Sequence, residues 1–192
     1  MKAFIILFFS AYLAGSVNFS VILFRILGKQ DPRKKFSKNP GVTNVYRQTG
    51  LPWAAVILFL EMTRAMIIAG AAMGFVKPEY VPWTGFGLIL GNSFPCFHRF
   101  RGGKGVACYL GFTMIPAPVF SVISAFFWIV SYTLFRTPFI ASFFMISVLS
   151  AGFIIKFGGS VIPAAGTAAT VLFIIFRHRE NIGRLIRQEE KK

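Results

Sequence analysis

Acidic residues are what this chain has least of: six Asp and Glu stand against 21 Lys and Arg in 192 residues, a net charge of +15. Asp31 is the only Asp, and Asp31, Glu61 and Glu180 are scattered, so no carboxylate cluster is available to hold a metal ion. Histidine and cysteine are equally scarce, two of each. Cys96, Cys108, His98 and His178 fall in no metal-ligand spacing, so no cofactor is expected and both thiols read as reduced packing residues. Charged side chains of either sign make up only 14% of the chain, whereas hydrophobic residues reach 55%, with 24 Phe. Mean hydropathy is +0.66. That is more apolar surface than a soluble domain of this length can bury, so the composition describes a polytopic, all-α membrane protein.

The cations decide how that protein lies. Most of them fall in three patches: Arg25 to Arg47, Arg99 to Lys104, and a tail from Arg177 to Lys192. A basic soluble protein of this charge would suggest nucleic acid as a partner. Clusters at the ends of apolar runs instead follow the positive-inside rule and favour anionic headgroups or anionic substrates.

A spanning helix takes roughly 20 apolar residues, with a lower limit near 17. Residues 4–24, 51–73, 81–97, 137–155 and 160–176 each qualify, the third marginally, and Gly158-Gly159 supplies a turn between the last two. The run 106–135 is too long for one upright helix and is interrupted by Pro116 and Pro118, which predicts two short spans joined there. The expected architecture is a seven-helix membrane bundle with its N-terminus outside and C-terminus inside. A five-span version, with the last two runs re-entrant, has the same parity. Either way the chain forms a single membrane domain, 1–192, whose loops 25–50 and 98–104 and tail 177–192 meet on the cytoplasmic side. Lys2 before an apolar stretch and Leu13-Ala14-Gly15-Ser16 imitate a signal peptide, but cleavage would leave the first cationic patch outside, so this helix is expected to be retained.

Arg99-Phe-Arg-Gly-Gly-Lys-Gly-Val-Ala107 sets a cationic glycine loop directly before an apolar run. Glycines let the backbone approach an oxyanion closely, and a helix beginning at Val106 aims its unpaired N–H groups at that anion. Glycines also cap transmembrane helices, so a plain turn is the competing reading. A nucleotide P-loop is excluded, because it needs Gly where His98 stands and Ser or Thr where Gly105 stands.

The first inside loop alternates small polar side chains with cations. Ser37, Asn39, Thr43 and Asn44 offer hydroxyl and amide hydrogen bonds, Lys38 and Arg47 offer charge, and Pro40-Gly41 supplies a turn to gather them. A solvated positive loop accounts for the lysines without requiring those polar residues. In the tail, His178 and Asn181 share one helical face beside an apolar stripe of Ile182, Leu185 and Ile186 that would lie along the membrane surface. A stop-transfer cluster is the bland alternative, but His178 can exchange a proton near neutral pH. His98, among Phe97, Arg99 and Phe100, reads as an interfacial anchor. Glu61 and Arg64, one turn apart within the second span, should pair with each other or face the bundle interior, marking that helix as a wall of any polar cavity.

These patches, in this order, resemble the bacterial acyl-phosphate:glycerol-3-phosphate acyltransferases, the PlsY family, along nearly the whole chain. The first family motif corresponds to Gly15-Ser16, Asp31-Pro-Arg33 and Phe36-Ser-Lys-Asn-Pro-Gly-Val-Thr-Asn44. The second corresponds to Gly91-Asn-Ser-Phe-Pro95 and Phe100-Arg-Gly-Gly-Lys-Gly-Val-Ala107, and the third is intact at Arg177-His-Arg-Glu-Asn-Ile-Gly-Arg-Leu185. Asn92 stands where the family carries His, so no proton transfer is assigned there. Phe36 and Lys38 replace two loop glycines.

The resemblance implies transfer of a fatty acyl group from acyl phosphate to the 1-hydroxyl of glycerol 3-phosphate at the bacterial inner membrane, with the site facing the cytoplasm and a monomer sufficing. Lys104 would stabilise the departing phosphate, with Arg101, Gly102, Gly103 and Gly105 holding the donor. Ser37, Asn39, Thr43, Asn44 and Arg47 would position the acceptor. His178 would handle the proton, oriented by Asn181, unless the donor phosphate takes that proton itself. Acyl-CoA enzymes with a His-x4-Asp motif are excluded, because Gly103 and Gly183 occupy the Asp positions. An anion or lipid transporter is the alternative from another class; no internal repeat supports it. A cysteine placed beside Lys38, beside Lys104 or within residues 188–192 is expected to be labelled only from the cytoplasmic side. Labelling of any one from outside would break the shared face.

Overall fold

The computed structural model describes residues 1–158 and 160–187; Gly159 and residues 188–192, with Lys191 and Lys192, lie outside the described residues. The helices are α1 (Lys2–Gly15), α2 (Phe19–Ile26), α3 (Val42–Thr49), α4 (Leu51–Phe75), α5 (Val81–Ser93), α6 (Val106–Met114), α7 (Pro118–Phe135), α8 (Pro138–Phe157), α9 (Val161–Arg177) and α10 (Arg179–Ile186). No strand occurs among the described residues.

The count of spans departs from seven. Among the described residues, four helical runs are long and apolar enough to cross a bilayer: Lys2–Ile26, Leu51–Phe75, Pro118–Phe135 and Pro138–Phe157. A fifth arises if α9 and α10, bent by 50° at His178, are counted as one run; the apolar residues of α9 end at Phe176, so His178 lies beyond them. α5 and α6 are too short, at 13 and 9 residues. They rise only about 20 and 14 Å, against a hydrocarbon core of roughly 30 Å. Proline is the reason in both cases. Phe94, before Pro95, leaves helical geometry at φ −126°, ψ 64° and ends α5. Ala117, before Pro118, sits at φ −141°, ψ 61° and separates α6 from α7. The two short helices therefore frame residues 94–105.

α1 and α5 cross with their backbones in contact. A Cβ on Gly91 would enter the Tyr12 carbonyl, and one on Gly15 would meet the Leu88 carbonyl and the Asn92 amide. Around this crossing a buried core of Ala65, Ala69, Leu88, Ile89, Phe112, Leu149, Phe153 and Ile174 joins α4, α5, α6, α8 and α9. Ile6, Phe59, Ile67, Val122, Phe126 and Leu172 are exposed, giving the bundle an apolar outer surface suited to lipid.

The Glu61–Arg64 pair forms as expected and is buried. It also gathers partners from the neighbouring helices. Arg64 donates to the Val17 carbonyl at the break between α1 and α2 and to Cys108 Sγ. Glu61 Oε2 accepts from Asn92 Nδ2 at 3.2 Å and from Cys108 Sγ at 3.0 Å. Cys108 thus belongs to a polar network and not only to the packing.

Gly91→Val should melt at lower temperature than the wild type in the same detergent, losing about 1–3 kcal/mol by overpacking. Gly74→Ala, with open space around its Cβ position, should be neutral or slightly stabilising. Equal melting of Gly91→Val and wild type would contradict the close crossing.

Candidate active site

One cavity of about 420 Å³ lies between the loops and the helix ends. Its polar wall contains Ser37, Asn39, Thr43, Asn44, Arg47, Gly103, Lys104, Gly105, His178 and Asn181; Ile57, Leu110, Trp128, Ile129, Phe139 and Met145 make its apolar wall. All three sequence patches contribute to it. Arg101 and Gly102 do not. Arg101 is exposed, and Gly102 is buried against the end of α5, where an added Cβ would enter the Asn92 carbonyl.

The first loop is built around a short turn, Pro32–Lys34. Asp31 caps it, accepting the Arg33 N–H at 2.9 Å. Asn44, on α3 and almost fully buried, donates Nδ2 to the Pro32 carbonyl at 2.9 Å, and Gln48 Nε2 donates to the same oxygen at 3.0 Å. Asn44 is therefore tied to the loop through its amide nitrogen, while its buried Oδ1 has no protein donor. Phe36 and Lys38, the two glycine replacements, take left-handed backbone at φ 51° and 54°. Glycine adopts that conformation freely, and a side chain makes it cost about 1–2 kcal/mol.

The glycine loop is held from both ends. The Gly103 N–H donates to the Asn92 carbonyl at 2.9 Å and the Gly102 N–H to the Ser93 carbonyl at 3.2 Å. Those two amides therefore point back at α5. The unpaired N–H groups available to an anion are those of the first turn of α6, where Val106, Ala107 and Cys108 line the cavity. Gly105 caps that helix at φ 84°, and a side chain there would strike Ile89 at 2.6 Å. The Gly102 and Gly103 carbonyls accept from Arg177 Nη2 at 3.4 and 3.2 Å, and that guanidinium stacks over Phe94 at 4.9 Å.

Lys104 Nζ donates to Asn181 Oδ1, so Asn181 orients the lysine. His178 is buried at the bend between α9 and α10, against the Phe143 ring at 5.2 Å. Its Nδ1 lies 2.8 Å from the Ile174 carbonyl. A carbonyl only accepts, so Nδ1 carries the hydrogen and Nε2 keeps the lone pair. Burial, and then the Lys104 charge, pull this imidazole down to about 4, so it is neutral at physiological pH. His98 lies outside the cavity wall, half-buried; burial and then the charges of Arg33 and Arg25 lower its pKa.

Sequence reasoning missed the framework around these residues. Arg177 and Arg33 were visible only as members of a charge patch and a motif, with no structural role assigned. Their partners lie 65–75 residues away, and no local spacing points to them.

Comparison with known proteins agrees with the motif order. Residues 5–188 match the family model described as glycerol-3-phosphate acyltransferase. The glycerol-3-phosphate acyltransferase of Legionella pneumophila (strain Corby) is 33% identical over 193 residues, covering 100% of this chain and 69% of the relative. That of Burkholderia multivorans is 33% identical over 184 residues, covering 95% of this chain and 87% of the relative. The crystal structure of PlsY, an integral membrane glycerol 3-phosphate acyltransferase, in its glycerol 3-phosphate form superposes with a TM-score of 0.91 at 30% identity, covering 100% of this chain and 96% of that one. Its lysophosphatidic acid form gives 0.87, covering 100% and 95%. With the three motifs meeting at one cavity and the likeness running from end to end, this chain belongs to the glycerol-3-phosphate acyltransferase family, and within it to the PlsY type.

Proposed function

We propose that the chain transfers a fatty acyl group from acyl phosphate to the 1-hydroxyl of glycerol 3-phosphate, releasing lysophosphatidic acid and inorganic phosphate. The reaction takes place on the cytoplasmic face of a bacterial inner membrane, in a single domain acting as a monomer. The observation that carries this reading is a cavity with an apolar wall on one side and a cationic, hydrogen-bonding wall on the other. A lipid-tailed phosphate and a soluble phosphate can meet there. The transporter alternative finds no support in the family match or the related structures.

In this reading the acyl chain lies along Trp128, Ile129 and Met145, with the donor phosphate at Lys104 and the first turn of α6. Ser37, Asn39, Thr43 and Arg47 receive glycerol 3-phosphate, and the partnerless Oδ1 of Asn44 accepts from one of its hydroxyls. The acceptor oxygen attacks the acyl carbonyl, and the bond between that carbon and the phosphate oxygen breaks. The hydroxyl proton leaves to His178 Nε2 or to the departing phosphate. An imidazole held at about 4 is a weak base. The phosphate route is therefore the competing path, with His178 accepting a hydrogen bond and not the proton.

Lys104→Ala should lower turnover by roughly 10²–10³, the usual loss when one preorganised charge stabiliser is removed. Lys104→Arg should recover only part, since a planar guanidinium does not fit a tight glycine loop. Near-normal turnover of folded Lys104→Ala would remove the lysine from this role.

If His178 takes the proton, His178→Gln should lose roughly 10²–10⁴ in kcat with little change in KM. If it only orients the acceptor, KM should rise at a preserved maximal rate. Because the imidazole stays neutral well below its ordinary 6.5, the ratio of wild-type to His178→Gln rates should be constant between pH 8 and 6. A ratio that collapses near 6.5 would contradict the depressed pKa.

A further inference from the structure

Four carbonyl oxygens in and beside the glycine loop accept from two arginines. Arg177 holds those of Gly102 and Gly103 and lines up with the third motif. Arg33 holds two more, those of His98 and Arg101. Its Nη1 donates to the His98 carbonyl and to the Arg101 carbonyl, each at 2.9 Å. The rest of its guanidinium is fixed by one carboxylate: Nε donates to Asp31 Oδ1 at 2.9 Å and Oδ2 at 3.1 Å, and Nη2 to Oδ2 at 2.6 Å. A fork of this kind sets the plane of the guanidinium and aims its remaining edge.

The loop that Arg33 grips has need of a grip. Arg99 and Phe100 sit in left-handed backbone at φ 57° and 56°, five and four residues before Lys104. On its other side, the turn carrying Arg33 is bound to α3 through the Pro32 carbonyl, which accepts from Asn44 and Gln48. One series of bonds therefore runs from α3 through Pro32 and Arg33 to residues 98–101. Arg33 itself is not part of the cavity wall.

We propose that Arg33, oriented by Asp31, is a positioning residue for acyl transfer that sets the register between the acceptor wall at Ser37–Arg47 and the donor wall at Lys104. The proposal rests on the two-wall assignment above. It requires that neither wall lose its own binding groups when Arg33 changes, and that only their mutual alignment suffers. Misalignment of about 1 Å can cost on the order of 10²-fold in rate.

The test is steady-state kinetics on purified enzyme in one detergent, varying acyl phosphate and glycerol 3-phosphate separately, with melting temperature measured alongside. Arg33→Lys keeps the charge but has no fork. It should lower kcat about 10–100-fold while each KM stays within about threefold. Asp31→Asn, nearly isosteric, should lower kcat in the same direction, and the double variant should be no slower than Arg33→Lys alone, because both remove the same clamp. Wild-type kcat in Arg33→Lys would overturn the proposal, as would multiplying losses in the double variant or a loss confined to one KM. A lower melting temperature at unchanged kcat would assign the pair to stability alone and also overturn it. If Arg33→Lys does not fold, Asp31→Asn with unchanged kcat still refutes it. Failure of the two-wall assignment itself is read separately, as normal turnover in Lys104→Ala.

Discussion

An ion pair inside a bilayer must find partners for both charges, and the arrangement of Glu61 and Arg64 organises much of the surrounding structure. An unpaired charge at helix centre costs on the order of 2.5–3.5 kcal/mol on the insertion scale. Here the pair reaches the broken backbone at Val17, the thiol of Cys108 and the amide of Asn92. Asn92 then receives the Gly103 N–H on its own carbonyl. The glycine loop is thus anchored, through one residue, to the buried ion pair. An amide at this position donates without itself titrating.

Irregular backbone near a membrane needs its polar groups satisfied by protein or by a cavity. Several groups of residues 94–105 find such partners on neighbouring elements. Tyr12 Oη donates to the Phe94 carbonyl at 2.9 Å, and Ser16 Oγ accepts the Cys96 N–H at 3.3 Å. Arg33 and Arg177 take the later carbonyls. With the Gly102 and Gly103 groups committed to α5 and Arg177, the start of α6 and Lys104 line the cavity. This arrangement suits a phosphate that must be held for one reaction and then released: helix-end N–H groups and one oriented cation, with no enclosing cage.

Much of the fold was legible in order and kind, less so in length. The apolar runs, the break at Pro116–Pro118, the buried pair and the convergence of three patches could all be read from residue spacing. The seven-span count could not. Hydropathy over residues 81–97 and 106–135 registers apolar content, whereas α5 ends where Phe94 precedes Pro95 and α6 ends at Met114, just before Pro116, leaving both short. Periodicity placed Asn181 beside His178, one turn away, and gave no sign of its bond to Lys104, 77 residues earlier.

Composition alone assigned this chain to the membrane, because 55% hydrophobic residues with 14% charge leave no soluble alternative. Motif order alone pointed to phosphate chemistry at one face. Which groups of those motifs are available was a matter for tertiary structure. The Gly102 and Gly103 amides turn away from the cavity, the α6 amides open onto it, and Arg33 closes on a loop 65 residues downstream. The physical reason is that a hydrogen-bonding group has limited capacity. Whether a donor remains for a substrate depends on which partner has already reached it, and here those partners come from distant parts of the chain.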